Sequence, residues 1–208
     1  SLRSGLSRGV HTPQEFVALD HLLHDMRLYK SRGEISAMRK SAKLAVEAHK
    51  RAMRLARPGL FEYEVEAEFR HEFRRNGAWC SYNPIVAGGK NACTLHYVEN
   101  SDELCDGDLL LIDAGCELDY YASDITRTFP VNGRFSAEQR AVYDIVHEAQ
   151  LAAIEKTLAG NHWNEPHDAA VRAITRGLVK LGLLKGRTPK LVKDQAYHRF
   201  YMHRTGHW

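Results

Sequence analysis

The 208-residue chain carries 29 Lys and Arg against 26 Asp and Glu, a formal charge of +3 with its twelve histidines neutral. So small and interspersed an excess argues against a nucleic-acid binder, and no apolar run reaches membrane-spanning length, so neither kind of partner is expected. At 44% hydrophobic and 26% charged residues, the composition is that of a globular protein with one sizeable core, expected in the cytoplasm.

Residues 1–9 are rich in Ser, Arg and Gly and read as a tail. Thr12-Pro13 caps a helix over about 14–24, and 26–29 reads as a short extended link. Ser31, with Glu34 three residues on, is a capping box that opens a long helix reaching about Arg57. Its apolar stripe is Ile35, Met38, Ala42, Ala45, Val46, His49 and Met53, and Pro58-Gly59 ends it. A second helix over about 62–76 carries Val65, Phe69 and Phe73 on one side and stops at Gly77. Residues 84–89 read as a short strand, 91–100 as irregular chain around His96, and Asp106-Gly107-Asp108 as a turn.

Leu109-Leu110-Leu111-Ile112 is an apolar run of the kind that fills a buried strand, with a bare carboxylate, Asp113, at its end. A hairpin turning about Leu118-Asp119 returns through 120–123 and sets Asp124 directly opposite Asp113, with Cβ atoms about 4.5–5.5 Å apart. Two acids that close share a proton or hold a cation. Oxygen ligands suit a hard divalent ion such as Mg²⁺ or Mn²⁺, and a carboxylate pair can span two of them. A hairpin whose acids are solvated, or paired with Arg127, is the plainer alternative. Thr126 and Arg127 are expected to orient the carboxylates.

The pattern then repeats. Ser136 caps a helix to about Leu158, a loop holding Gly160 follows, and a second amphipathic helix runs over about 166–181. Helix, loop, helix and irregular chain is also the order of residues 34–89, which predicts two similar α/β halves around a shared centre. His203 and His207 are four apart, but Gly206 and the β-favouring Phe200-Tyr201 argue against a helix there, so the two imidazoles need not share a face. Cys80, Cys93, Cys105 and Cys116 show no CxxC pairing and read as reduced thiols. Trp79, Trp163 and Trp208 read as packing residues.

The order of the short motifs is more specific than any one of them. LHY at 95–97, IDAG at 112–115, SDITRTFPV at 123–131 and MHRTGHW at 202–208 resemble the Xaa-Pro aminopeptidase (aminopeptidase P) branch of the pita-bread metallopeptidases, peptidase family M24. So do 30–38, RPGLFEYEVEAEF at 57–69 and SYNPIVAGG at 81–89. The resemblance spans about residues 20–208. It implies an α+β, pita-bread (creatinase/aminopeptidase-like) fold with pseudo-two-fold halves, incomplete at the C-terminus. Residues 1–29 become a tail and linking helix from an N-terminal domain outside the chain, and 30–208 a partial catalytic domain.

The resemblance also implies a metallo-exopeptidase that hydrolyses the bond between an N-terminal residue and a following proline, through a hydroxide bridging two Mn²⁺ ions. By position, Asp113 matches the first aspartate ligand, Asp124 the aspartate that bridges both metals, and His207 the histidine ligand. His96 matches the histidine beside the metals that contacts the substrate, and His203 a non-ligand histidine near the pocket for the residue after the scissile bond. The family's two glutamate ligands would lie beyond residue 208, so these 208 residues alone are expected to be inactive. The intact protein is expected to act on peptides with proline in second position and to form a homo-oligomer. A prolidase-type dipeptidase and a non-catalytic pita-bread peptide-binding module remain the alternatives.

Overall fold

The computed structural model describes residues 16–207, and the chain divides into two compact units, Ser1–Val131 and Asn132–Trp208. Among the described residues no helix is long and apolar enough to cross a membrane.

The first unit opens with α1, Asp20–Leu28, which buries none of its side chains. Residues 26–28 are therefore helical, not an extended link. Asp20 in the first turn and Arg27 in the last suit the helix dipole at both ends, and the chain becomes extended only at Tyr29. The Thr12-Pro13 cap lies outside the described residues. In α2, Arg32–Leu55, the Ser31 side chain accepts from the Glu34 amide and the Glu34 side chain from the Ser31 amide, the predicted capping box.

The buried face of α2 is Ser41, Ala45, Ala48, His49 and Ala52. Of the expected stripe only Ala45 and His49 lie there; Ile35, Met38, Val46 and Met53 are each about 40% exposed, and Ala42 is exposed too. The helix lies against the strands Cys116–Leu118 and Tyr121–Ala122, and small side chains are what let a helix axis approach a sheet closely. In α3, Glu62–Arg75, Val65, Phe69 and Phe73 are fully buried as expected.

The strands are β1 (Trp79–Cys80), β2 (Ile85–Gly88), β3 (Leu109–Asp113), β4 (Cys116–Leu118), β5 (Tyr121–Ala122) and β6 (Thr126–Pro130). They form two antiparallel three-stranded sheets, ordered β1-β4-β5 and β2-β3-β6. One core cluster joins Ala45, Ala48 and Ala52 of α2 with Phe69 and Phe73 of α3 and with Val86, Leu110 and Ile112 from the sheet. Trp79 and Trp163 are not packing residues: they are 63% and 56% exposed. An Arg74 guanidinium covers the Trp79 ring at 3.6 Å, a cation–π contact that keeps the indole at the surface. Trp208 lies outside the described residues.

A buried polar knot ties the irregular 94–104 segment to this core. The Glu62 carboxylate is fully buried. It accepts hydrogen bonds from the Gly88 amide (2.7 Å), Asn91 Nδ2 (3.0 Å), the Tyr97 hydroxyl (2.7 Å) and the Asp102 amide (3.0 Å). A buried charge is tolerated only when its lone pairs are met in this way. Glu62→Gln keeps the shape but turns an NH₂ toward donors. Urea unfolding should show a loss of about 2 kcal/mol, and an unchanged midpoint would mean the charge is not needed.

The second unit holds α4 (Ala137–Lys156), α5 (Glu165–Lys180), the short α6 (Thr188–Lys193) and a 3₁₀ turn at Ala196–Arg199. Ser136 and Gln139 form the capping box that opens α4. The α4–α5 seam is alanine on alanine, Ala149 and Ala153 against Ala170 and Ala173, and a Cβ on Gly177 would overlap the Ile145 side chain. The helix–loop–helix repeat is present, but among the described residues this unit has no strand. The 200–207 segment is irregular, so among the described residues the likeness to the first unit lies in the helices.

Candidate metal centre

The hairpin that carries both aspartates is one residue out of the expected register. Its turn falls at Asp119 and Tyr120, with φ of 52° and 66°, the left-handed pair that a two-residue type I′ turn requires. Leu118 consequently pairs with Tyr121, and Asp113 pairs with Thr126, not with Asp124. The same register continues between the sheets, where the Ala114 amide donates to the Ile125 carbonyl (3.1 Å) and the Ser123 amide to the Cys116 carbonyl (2.8 Å). Asp124 therefore stands two residues before the partner of Asp113. The carboxylates are diagonal neighbours on one face, a separation of about 7–8 Å between Cα positions that side chains can close.

What joins them is Tyr82, which the sequence reading gave no role. Its hydroxyl lies 2.5 Å from Asp113 Oδ1 and 2.9 Å from Asp124 Oδ1. Burial, reinforced by the two facing carboxylates, holds the phenol far above its ordinary range, so it keeps its proton. One hydrogen thus bonds to both acids, and the pair offers carboxylate oxygens as ligands. That donor set fits a hard divalent cation. Within the first unit's described residues no further His, Cys, Asp or Glu joins the pair in a cluster able to hold a metal. Of the two residues expected to orient the carboxylates, Thr126 pairs with Asp113 in the sheet, and the Arg127 guanidinium donates to the Thr126 carbonyl (2.7 Å).

The crossing is held by two residues behind it. Gly115 passes against Ser123 so closely that a Cβ there would overlap the Ser123 carbonyl, while the Ser81 hydroxyl donates to that carbonyl (2.9 Å). His49, 4% exposed on α2, places Nε2 3.1 Å from the Ala114 carbonyl, next to Asp113, and sets its ring edge-on to Phe69 at 4.9 Å. Nε2 donates that bond, and burial favours the neutral ring. Burial pushes the His49 pKa below its ordinary 6.5, with the Ala114 bond opposing.

The unfolded chain therefore binds a proton at His49 that the folded chain resists. This contribution to stability is full above the ordinary 6.5 and is lost as pH falls from there toward the lower folded value. Thermal melts between neutral pH and about pH 5 should show a falling midpoint whose slope is smaller in His49→Phe. Equal slopes in both proteins would contradict the assignment.

His96 is exposed and takes a φ of 56°. A non-glycine residue rarely adopts that backbone, and histidine does so more readily than most. The position is fixed from its neighbour, since buried Tyr97 is the residue bonded to Glu62. In the second unit, His203 and His207 lie on irregular chain and are exposed, in keeping with the non-helical expectation. His203 Nδ1 donates to the Arg204 carbonyl (2.9 Å) and its ring meets Tyr201 edge-on at 4.9 Å. Thr205 Oγ1 lies 2.9 Å from both His167 Nδ1 and the Tyr201 hydroxyl, and Arg204 donates to Asn164 at 2.5 Å. Asp113, Asp124 and His96 thus belong to one unit and His203 and His207 to the other.

A helix-backed antiparallel hairpin turns two carboxylates to one face around one shared hydroxyl, in a chain of α+β class. Comparison with known proteins agrees. The profile of metallopeptidase family M24 matches residues 36–208. A Haemophilus influenzae protein named Xaa-Pro aminopeptidase is 53% identical over 188 residues, 90% of this chain and 44% of that protein. Among solved structures, Pseudomonas aeruginosa aminopeptidase PepP superposes with a TM-score of 0.93 at 60% identity, over 97% of this chain and 46% of its own. Zinc-substituted Escherichia coli aminopeptidase P in complex with product gives 0.91 at 48%, over 94% and 45%.

The chain belongs to metallopeptidase family M24, and its α+β architecture is the pita-bread class expected from the motifs. It spans less than half the length of each of these relatives.

Proposed function

We propose that this chain supplies part of the active site of a metal-dependent Xaa-Pro aminopeptidase, which releases an N-terminal residue from peptides with proline in second position. The observation that carries the reading is the Tyr82 hydroxyl between Asp113 and Asp124 on one face of the hairpin. In it, Asp113, Asp124 and His207 hold divalent ions, two Mn²⁺ in the intact site. Such ions, when bound, supply an acidified water and polarise the scissile carbonyl.

The chain's own residues do the positioning. Tyr82 keeps its proton and steers one oxygen of each aspartate. Gly115 sets the strand spacing that brings the aspartates within reach. His96, on its left-handed backbone, and His203, with Nε2 left as acceptor by the bond at Nδ1, contact the peptide. Residues 1–29 serve as tail and linking helix to a further domain, a reading supported by an α1 that buries no side chain here. A cytoplasmic homo-oligomer completes the proposal, the four free thiols suiting a reducing compartment.

The test is an assay of the full polypeptide that carries this chain, on paired peptides with proline or alanine second. Metal-dependent release of the first residue from the proline peptide, abolished by a chelator, is the expected result. Equal cleavage of both peptides, or cleavage that survives chelation, would overturn it.

A further inference from the structure

Cys80 on β1 and Cys116 on β4 are direct register partners. The adjoining pair, Ser81 and Gly115, is the hydrogen-bonded one, with the Ser81 amide donating to the Gly115 carbonyl at 3.1 Å. Cys116 uses its own backbone groups toward Ser123, its amide donating to Ser123 Oγ (3.0 Å) and its carbonyl accepting from the Ser123 amide (2.8 Å). The two cysteines therefore form a non-hydrogen-bonded antiparallel pair, the kind in which Cα atoms come within about 4.5 Å and facing side chains are closest. A disulfide needs Cα atoms about 4.4–6.8 Å apart, so the backbone already meets the requirement.

Access and surroundings agree with the register. Both side chains pack on the same core cluster, and Cys116 Sγ is steadied by the Ser41 carbonyl at 3.3 Å. Cys80 is half-buried and lines a cleft of about 320 Å³ with Arg70, Arg74, Trp79 and Tyr82. That cleft admits a small oxidant to Cys80 but not to buried Cys116. One thiol is thus reachable and the other waits beside it, which is the arrangement of a reacting and a resolving cysteine.

We propose that Cys80 and Cys116 form a reversible intrachain disulfide when the chain meets a peroxide. The Cys80 sulfur attacks one peroxide oxygen, the O–O bond breaks, and a sulfenic acid and one water result. The Cys116 sulfur then attacks the sulfenic sulfur; the S–S bond forms, the S–O bond breaks, and a second water leaves with the remaining thiol proton. Two electrons pass from the sulfurs to the peroxide, and an external thiol reverses the change. Burial pushes the Cys80 thiol up, with the Arg70 charge opposing, so juxtaposition in the sheet and not acidity favours the bridge. The bridge would pin the backbone two residues before Tyr82 and three after Asp113, and it does not depend on the peptidase reading.

The test exposes the purified protein to hydrogen peroxide, blocks remaining thiols with iodoacetamide, and maps a non-reduced digest by mass spectrometry. The expected result is a linked pair of peptides holding Cys80 and Cys116, lighter by two hydrogens and separated again by dithiothreitol. It should persist in C93S/C105S, which removes the two exposed thiols, and vanish in C80S. Oxidation should also raise the melting temperature of C93S/C105S by about 5 °C. Recovery of both cysteines as alkylated thiols, or of Cys80 as sulfinic acid without a linked peptide, would overturn the proposal.

Discussion

Gly115→Ala should cost about 3–5 kcal/mol of folding stability in urea unfolding. A Cβ at that position would overlap the Ser123 carbonyl oxygen, lie 2.5 Å from the carbonyl carbon and meet Ser81 Oγ at 2.9 Å. The nearest obstacles are backbone atoms, so no side-chain rotation relieves the clash. The strands must part instead, and parting them breaks the Ala114 amide to Ile125 and Ser123 amide to Cys116 bonds. Each such break leaves buried groups unmet. Gly133→Ala is the control: its φ is +78° with nothing within 4 Å, so it bears only the backbone penalty of about 1 kcal/mol. If the two substitutions cost the same, the close strand crossing is not what holds the aspartates.

Asp124→Ala should abolish stabilisation by divalent ions. A ligand present at about a hundred times its Kd stabilises the folded state by about 2.7 kcal/mol. With Mn²⁺ as the probe, the parent chain should gain on that order at saturating ion. The variant, left with Asp113 and His207 of the three proposed ligands, should gain close to nothing, its affinity reduced at least about 100-fold. The metal-free proteins should differ little, because the loss of mutual repulsion between the acids is offset by the loss of a hydrogen bond. A variant more stable than the parent, with no metal response in either, would mean the aspartates only border a binding surface.

Much of this was legible in the residues. The Ser31 and Ser136 caps, the Val65, Phe69 and Phe73 stripe and the apolar run ending at Asp113 are local patterns, and local patterns survive folding. The face shared by Asp113 and Asp124 was also readable, because a strand alternates with period two wherever its turn falls. The turn itself was not. It places an aromatic, Tyr120, in a left-handed conformation that bulky side chains disfavour, and tertiary register overrode that preference.

The tasks of Tyr82, Gly115, His49 and Glu62 escape the sequence for a different reason. Glu62, Tyr82 and His49 reach partners 26, 31 and 65 residues away, Gly115 meets Ser123 across the strand crossing, and no spacing rule within a single element announces such a meeting. Tyr82 and Gly115 did fall inside the runs SYNPIVAGG and IDAG that carried the family resemblance, where they had no assigned task. On α2 large apolar residues are not the core signal, because close helix–sheet contact selects alanine and serine.

The most direct test of the central claim is anomalous X-ray diffraction from crystals of the protein loaded with Mn²⁺. Manganese density in contact with the carboxylates of both Asp113 and Asp124, with Tyr82 still bonded to Asp113, is the predicted result. Manganese bound only elsewhere, with the Tyr82 hydroxyl remaining shared between two metal-free aspartates, would contradict it.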